Sequence, residues 1–329
     1  MNFHEFGLRT APHVMLIHGG GNAWWNYLRQ ARALSSHYHV ILPTLDGHGE
    51  EYQIPYRSTE RTADQLMDYI RCECGGRLFA LGGVSLGGQI VMELLARNRD
   101  VAEKAIIDGS LCIPQPALAR FCIASVHLLG PLLFSERACR RQLALMDRFL
   151  PEEMRYPEEI KAYYLQDMPK LPRETLYAMY RTYMMQYRLK ESVRDSGTQV
   201  MYWYGEKEMR CVKESARLFQ SMLPTCELYE AKGYGHGYTC PFTGRRSGCR
   251  LRSLFWKGNK NGSGLSGPEP FFRYTRFHTA PPGTSVTSMP RAFSSSRMRS
   301  ASAKSLAFLA SPRAFTRASI SGSPSPVTV

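Results

Sequence analysis

The sequence predicts an α/β fold, a mostly parallel central sheet flanked by helices, with an inserted helical cap and a disordered C-terminal tail. Three features of the 329-residue chain predict it. Short apolar runs alternate with helix-patterned segments as far as Gly109, and strands alternating with helices make a parallel sheet covered on both faces. From Pro114 to Leu189 the alternation gives way to helical spacing throughout. It returns at Gln199 and runs to His236, after which Ser, Arg, Pro and Gly dominate and no periodicity is sustained. Such a composition buries too little apolar surface to fold. The expected organisation is a core of residues 1–110 and 196–240, a cap of residues 111–195 and a tail of residues 241–329.

Val14–Ile17 reads as a buried strand running into Gly19, Gly20 and Gly21, and Val40–Leu42 as a second strand, ending near Pro43. Thr59–Cys72 places Ala63, Leu66, Met67 and Ile70 on one helical face. Leu78–Val84 is a third strand, Gly87–Asn98 a helix, and Ala105–Ile107 a fourth strand that ends at Asp108–Gly109. The cap reads as helices Ala117–Leu129, Glu136–Leu150, Glu158–Gln166 and Arg173–Tyr187. Its Met179, Met184, Met185, Tyr177, Tyr180, Tyr183 and Tyr187 either form the core of a helical subdomain or face a substrate; methionine-rich surfaces adapt to varied ligands. Gln199–Tyr204 resumes the sheet, Val212–Met222 is a helix, and Cys226–Glu230 is a last strand leading to Gly233–Tyr234–Gly235–His236–Gly237.

Bulk numbers remove several function classes. The net charge of +14 suggests a polyanionic partner, but residues 241–329 hold 14 Lys and Arg against one acid, Glu269. That segment carries +13 and the first 240 residues only +1, so no specific nucleic-acid partner is expected of the core. Nine cysteines lie singly apart from Cys72 and Cys74, without the paired knuckles of a zinc site. An odd cysteine count behind an N-terminus with no apolar signal core fits a reducing cytosol, so a cytoplasmic location is expected. The longest apolar run, Phe121–Phe134, includes His127 and is shorter than the roughly 20 residues of a membrane span.

Four signals carry chemistry. Gly83–Val84–Ser85–Leu86–Gly87 lies between an apolar strand and a helix, where flanking glycines permit the strained turn that raises a serine hydroxyl above the sheet edge. The hydroxyl then sits at a helix N-terminus, which favours a developing anion. His18–Gly19–Gly20–Gly21 follows the first clear strand, and the amides of Gly20 and Leu86 are the expected oxyanion donors. No Gly-Lys-Ser/Thr follows these glycines, which argues against a phosphate loop. His236, between glycines after the last strand, can reach across the strand ends and take the proton of Ser85. Glu208, after the strand Gln199–Tyr204, is the expected orienting acid, with Glu206 and Asp108 as alternatives.

These residues resemble the α/β-hydrolase fold superfamily over about residues 12–240. The chain order nucleophile, acid, histidine is similar to that family, as is the turn Leu45–Asp46–Gly47–His48–Gly49 after the second strand. The resemblance implies an α/β-hydrolase sheet with an inserted cap, an acyl pocket between cap and Ser85, and no metal or organic cofactor. Trp24 and Trp25 beside the oxyanion loop are expected either to line that pocket or to pack in the core. Three departures stand out: Glu208 replaces the family's usual aspartate, the first antiparallel strands shrink to Phe3–Gly7, and no amphipathic helix follows His236 within residues 241–260. Without that helix, one face of the sheet is expected to be partly bare.

A serine at the elbow points away from haloalkane dehalogenases and epoxide hydrolases, which use aspartate there. The expected function is a serine hydrolase cleaving an ester, thioester or related acyl bond of a small apolar substrate. Two alternatives use the same fold. One is a lyase resembling those of menaquinone synthesis, in which the triad abstracts a proton; the other is a binding protein without turnover.

Overall fold

Among the described residues, 1–149 and 155–236, the computed structural model shows seven strands in one sheet. In chain order the elements are β1 (Asn2–Phe6), β2 (His13–Ile17), α1 (Leu28–Leu34), β3 (His39–Thr44), α2 (Thr59–Glu73), β4 (Leu78–Val84), α3 (Leu86–Arg97) and β5 (Ala102–Asp108). The helices α4 (Pro116–Leu133), α5 (Glu136–Phe149), α6 (Glu158–Asp167) and α7 (Arg173–Met179) follow, before β6 (Gln199–Gly205), α8 (Arg210–Met222) and β7 (Glu227–Ala231) complete the order. The strands lie in the order β1–β3–β2–β4–β5–β6–β7, with β1 antiparallel to β3 and every other pair parallel.

The alternation of side chains along each strand explains why the sheet is covered on both faces. Met15, Ile17, Ile41, Leu81, Ile107 and Tyr202 point to one face and pack with α2, α3 and α8. Val14, Leu16, Val40, Leu42, Ala80, Ile106 and Trp203 point to the other, where Ala31 and Leu34 of α1 meet them. The tail of residues 241–329, and with it the expectation of a partly bare face, lies outside the described residues. Helix α2 begins at the N-cap Ser58, whose Oγ accepts from the Arg61 amide at 3.2 Å, and it buries Ala63, Leu66, Met67 and Ile70. Every residue of α3 from Leu86 to Leu95 is buried, so this helix is the central pillar against the sheet.

Two elements depart from the sequence reading. Helix α1 was not anticipated, because Leu28–Leu34 is short and its polar residues interrupt the apolar spacing. The expected helix Arg173–Tyr187 divides: α7 ends at Met179, and Tyr180–Gln186 continues as a π-helical segment. Its wider winding is anchored from outside, since the Gln115 amide donates to the Met184 carbonyl at 2.5 Å and Gln89 Nε2 donates to the Tyr183 carbonyl at 2.9 Å.

The topology places the site. From β2 the chain steps outward to β3, then returns past β2 to β4, so the strand order reverses between β2 and β4. In open α/β sheets, ligands bind beyond the carboxyl ends of the strands at such a reversal. The Gly19–Gly21 loop follows β2 and Ser85 follows β4.

Candidate active site

Ser85 sits at the junction of β4 and α3 with φ 53° and ψ −113°, the one non-glycine residue with positive φ among the described residues. Such a conformation costs roughly 1–3 kcal/mol and persists only where its surroundings hold it. Here the Ser85 amide donates to the Asp108 carbonyl at 2.8 Å, and Ser110 Oγ donates to the Ser85 carbonyl at 2.7 Å. The flanking glycines are required by close approach. A Cβ on Gly83 would lie 2.4 Å from the Gly87 carbonyl, and one on Gly87 would lie 2.2 Å from the Ile17 carbonyl. The elbow is thus wedged against both its own helix and the end of β2.

His236 lies beyond β7, and its Nε2 is 3.2 Å from Ser85 Oγ. On the other side of the ring, Nδ1 lies 3.0 and 3.1 Å from the two carboxylate oxygens of Glu208. Nδ1 therefore carries the proton donated to the carboxylate, which leaves the Nε2 lone pair facing the serine hydroxyl. Burial by itself lowers the imidazole pKa, but the Glu208 hydrogen bond, its charge and that of Asp108 outweigh it, and the net direction is upward. Glu208 is buried and holds its position partly by accepting from the Met209 amide at 3.0 Å.

Of the three carboxylates left open by the sequence, Glu208 is the one brought to the imidazole. Glu206, two residues earlier, accepts from the Gly233 amide at 2.7 Å and braces the loop that carries His236. Asp108 is buried at the end of β5, with its carbonyl holding the elbow.

Gly20 lies beside the elbow, since a Cβ there would stand 3.8 Å from Leu86 Cδ2. Leu86 is the first residue of α3. The loop around Gly20 is braced by His18, whose Nε2 accepts from the Leu45 amide at 3.0 Å while Nδ1 donates to the Gly19 carbonyl at 2.8 Å. Burial, helped by His48, pushes His18 down to about 3, so it stays neutral and keeps this tautomer. His48, in the turn after β3, is likewise lowered by burial to about 4.

The tryptophans lie apart from these contacts. Trp25 is fully buried, and its Nε1 donates to Asp167 Oδ2 of α6 at 2.7 Å, which ties cap to core. Trp24 is half-buried, with its ring stacked on His4 at 4.2 Å and edge-on to Tyr163 at 5.2 Å. Two cap side chains approach instead. Met179 Cε and Sδ would lie 3.0 and 3.2 Å from a Cβ on Gly20, and the Tyr183 hydroxyl is 3.4 Å from Ser85 Oγ. Among the described residues no cluster of His, Cys, Asp and Glu could hold a metal ion, and no helix is long and apolar enough to cross a membrane.

With this geometry in place, residues 14–246 match the alpha/beta hydrolase family. The chain belongs to that family. Relatives of this hydrolase are esterase- and lipase-like. It is 24% identical over 243 residues to Lipase 1 of Psychrobacter immobilis, covering 72% of this chain and 74% of that protein. It is 29% identical over 102 residues to an AB hydrolase superfamily protein of Gibberella zeae, a match that spans about a third of that relative (34%) and 29% of this chain. Among solved structures, a carboxylesterase of Nitrososphaera gargenis superposes with a TM-score of 0.62 at 15% identity, covering 77% of this chain and 93% of that one. An esterase from Thermogutta terrifontis gives a TM-score of 0.60 at 20% identity, over 78% of this chain and 93% of its own. MenH from S. aureus gives 0.61 at 16% identity, over 79% and 98%. At these identities the structures establish a shared fold.

Proposed function

We propose that the protein is a carboxylic-ester hydrolase working through an acyl-enzyme on Ser85. One observation carries the reading: hydroxyl, imidazole and buried carboxylate stand in an unbroken hydrogen-bonded line at the carboxyl end of the sheet. Ser85 Oγ attacks the acyl carbon as His236 Nε2 takes its proton, and Glu208 orients the ring and stabilises the imidazolium. His236 then gives that proton to the leaving alcohol or thiol, and a water attacks the acyl-enzyme by the same route.

The amides of Leu86 and Gly20 are assigned to the oxyanion. First-turn amides of a helix have no partner within it, and Leu86 opens α3. Gly20 supplies the second donor from the β2 side of the elbow. Such a donor is worth about 10²–10³ in rate. The substrate is assigned to small apolar acyl compounds, because Met179 closes over Gly20. A reducing, cytoplasmic setting fits the seven described cysteines, all of which are unpaired.

The test is labelling of the purified full chain with a fluorophosphonate, followed by mass-spectrometric mapping. The expected result is covalent label on Ser85 that disappears in Ser85→Ala and falls sharply in His236→Ala. A cooperatively folded protein that takes no label on Ser85 would overturn the assignment.

A further inference from the structure

The reaction assigned to Ser85 needs a base, an acid and oxyanion donors, and the groups described above fill those roles. The cap adds one more polar atom. Tyr183 Oη lies 3.4 Å from Ser85 Oγ, although Tyr183 is 98 residues further along the chain and sits in the π-helical segment Tyr180–Gln186. Nothing in ester hydrolysis as proposed makes use of it.

Its placement is built rather than incidental. Gln89, fully buried in α3 four residues after the nucleophile, donates from Nε2 to the carbonyls of Leu111 at 2.7 Å and Tyr183 at 2.9 Å. Its Oε1 accepts from Thr59 Oγ1 at 2.7 Å, so the amide is held from both ends. One residue further on, the Met184 carbonyl accepts from the Gln115 amide. The backbone that carries Tyr183 is therefore pinned to the helix that carries Ser85. Four residues earlier, on the same side of the segment, Met179 closes over Gly20. Side chains from the end of α7 and the π-helical segment after it thus lie over both the Gly20 loop and the nucleophile.

The side on which the phenol lies indicates its role. Gly20 follows β2, and the Leu86 side chain lies beside it. Tyr183 Oη instead takes a backbone hydrogen bond at Leu111, which follows β5, and lies within the field of the Glu208 carboxylate, which follows β6 and holds His236. That is the flank of His236, towards which the leaving group must depart to receive its proton. In the free enzyme the Ser85 proton points at His236 Nε2, so Tyr183 is the donor and Ser85 Oγ the acceptor between them.

Resting on the ester-hydrolase reading, we propose that Tyr183 is a catalytic residue that hydrogen-bonds the departing oxygen of the substrate, extending the enzyme to esters of poor leaving groups such as simple alkyl alcohols. In acylation the Oγ–C bond forms as the Ser85 proton passes to His236 Nε2. The C–O bond to the alcohol then breaks, and its electron pair takes the proton back from Nε2. Tyr183 keeps its own proton throughout and lends only a hydrogen bond to the developing alkoxide. Burial pushes the phenol well above its ordinary range, which suits a group that donates without ionising.

The experiment compares Tyr183→Phe with the parent chain on ethyl butyrate and p-nitrophenyl butyrate. The two share an acyl group and differ in leaving-group basicity. A p-nitrophenolate departs with little help, so its kcat/KM is expected to stay within about threefold, whereas that for ethyl butyrate falls about 10–100-fold, less than the roughly 10²–10⁴-fold of a group that transfers a proton. Equal loss on both esters would overturn the proposal by making Tyr183 a further oxyanion donor or a structural residue. No loss on either would overturn it outright. Fluorophosphonate labelling separates this from the underlying reading. Label on Ser85 in both proteins with unchanged leaving-group dependence removes Tyr183 alone, whereas an unlabelled parent chain removes both.

Discussion

At the scale of single residues, the His236–Glu208 contact sets a pH dependence. The imidazole must be neutral to accept the Ser85 proton, and its pKa lies above the ordinary value of about 6.5. Activity is therefore expected to be full at alkaline pH and to fall as pH drops through that raised pKa, giving an acid limb centred above 6.5 in kcat/KM profiles. Glu208→Gln removes the charge that raises it. The limb is expected to move to lower pH, and the plateau kcat to fall by about 10²–10⁴-fold as the imidazole loses its fixed tautomer. Gly87 provides a residue-scale test of the elbow itself. A Cβ there meets the Ile17 carbonyl at 2.2 Å, and backbone of a central strand has little room to yield. Gly87→Ala is expected to cost at least about 2 kcal/mol in urea unfolding, at the heavy end of overpacking effects.

Among the secondary-structure elements, α3 and the cap segment after α7 work as a pair. Most of α3 is apolar and packs on the sheet, but Gln89 stands fully buried within it and holds three partners. Gln89→Leu keeps the volume but leaves the carbonyls of Leu111 and Tyr183 and the Thr59 hydroxyl without that partner. Each buried polar group stranded in this way costs about 1–3 kcal/mol, so a combined loss of at least about 3 kcal/mol is expected in urea unfolding. Because the same amide pins the Tyr183 backbone, the variant is also expected to lose activity on alkyl esters. The Trp25–Asp167 hydrogen bond ties the cap to the core at a second point.

In the whole molecule, charge and catalysis are separated along the chain. The described site lies in a part of near-neutral charge, while residues 241–329 hold +13. Any affinity for nucleic acid is then expected to be polyelectrolyte attraction without sequence preference. Fluorescence anisotropy of the full chain with two unrelated DNA oligonucleotides is expected to give equal affinities, falling steeply between about 50 and 200 mM salt. A clear preference for one oligonucleotide would show a specific partner that charge alone does not explain. The place where chemistry is proposed owes its position to topology, because the chain's reversal between β2 and β4 sets both the Gly20 loop and Ser85 at the ends of neighbouring strands.

Much of this was legible in the sequence because it depends on local rules. Apolar runs of strand length and a 3.6-residue spacing reveal parallel βα units wherever they are regular, and Ser85 announced itself by glycines that only a strained strand-to-helix turn requires. The sequence by itself determined the fold class, most of the order of strands and helices, and the Ser85 and His236 of a proton relay. It ranked Glu208 ahead of Glu206 and Asp108 without excluding either, because all three lie at or just after the ends of strands that finish on the same side of the sheet. Only the tertiary structure decided among them, through the path of the β6–α8 loop, which turns Glu208 towards His236 and Glu206 towards Gly233. It also decided that Trp25 is core and that Tyr183, one tyrosine among several in the cap, reaches Ser85. The physical reason is the same in each case. A side chain's type and period are properties of its neighbours in sequence, whereas its reach across strand ends depends on tethers such as Gln89, whose partners lie 22 and 94 residues away.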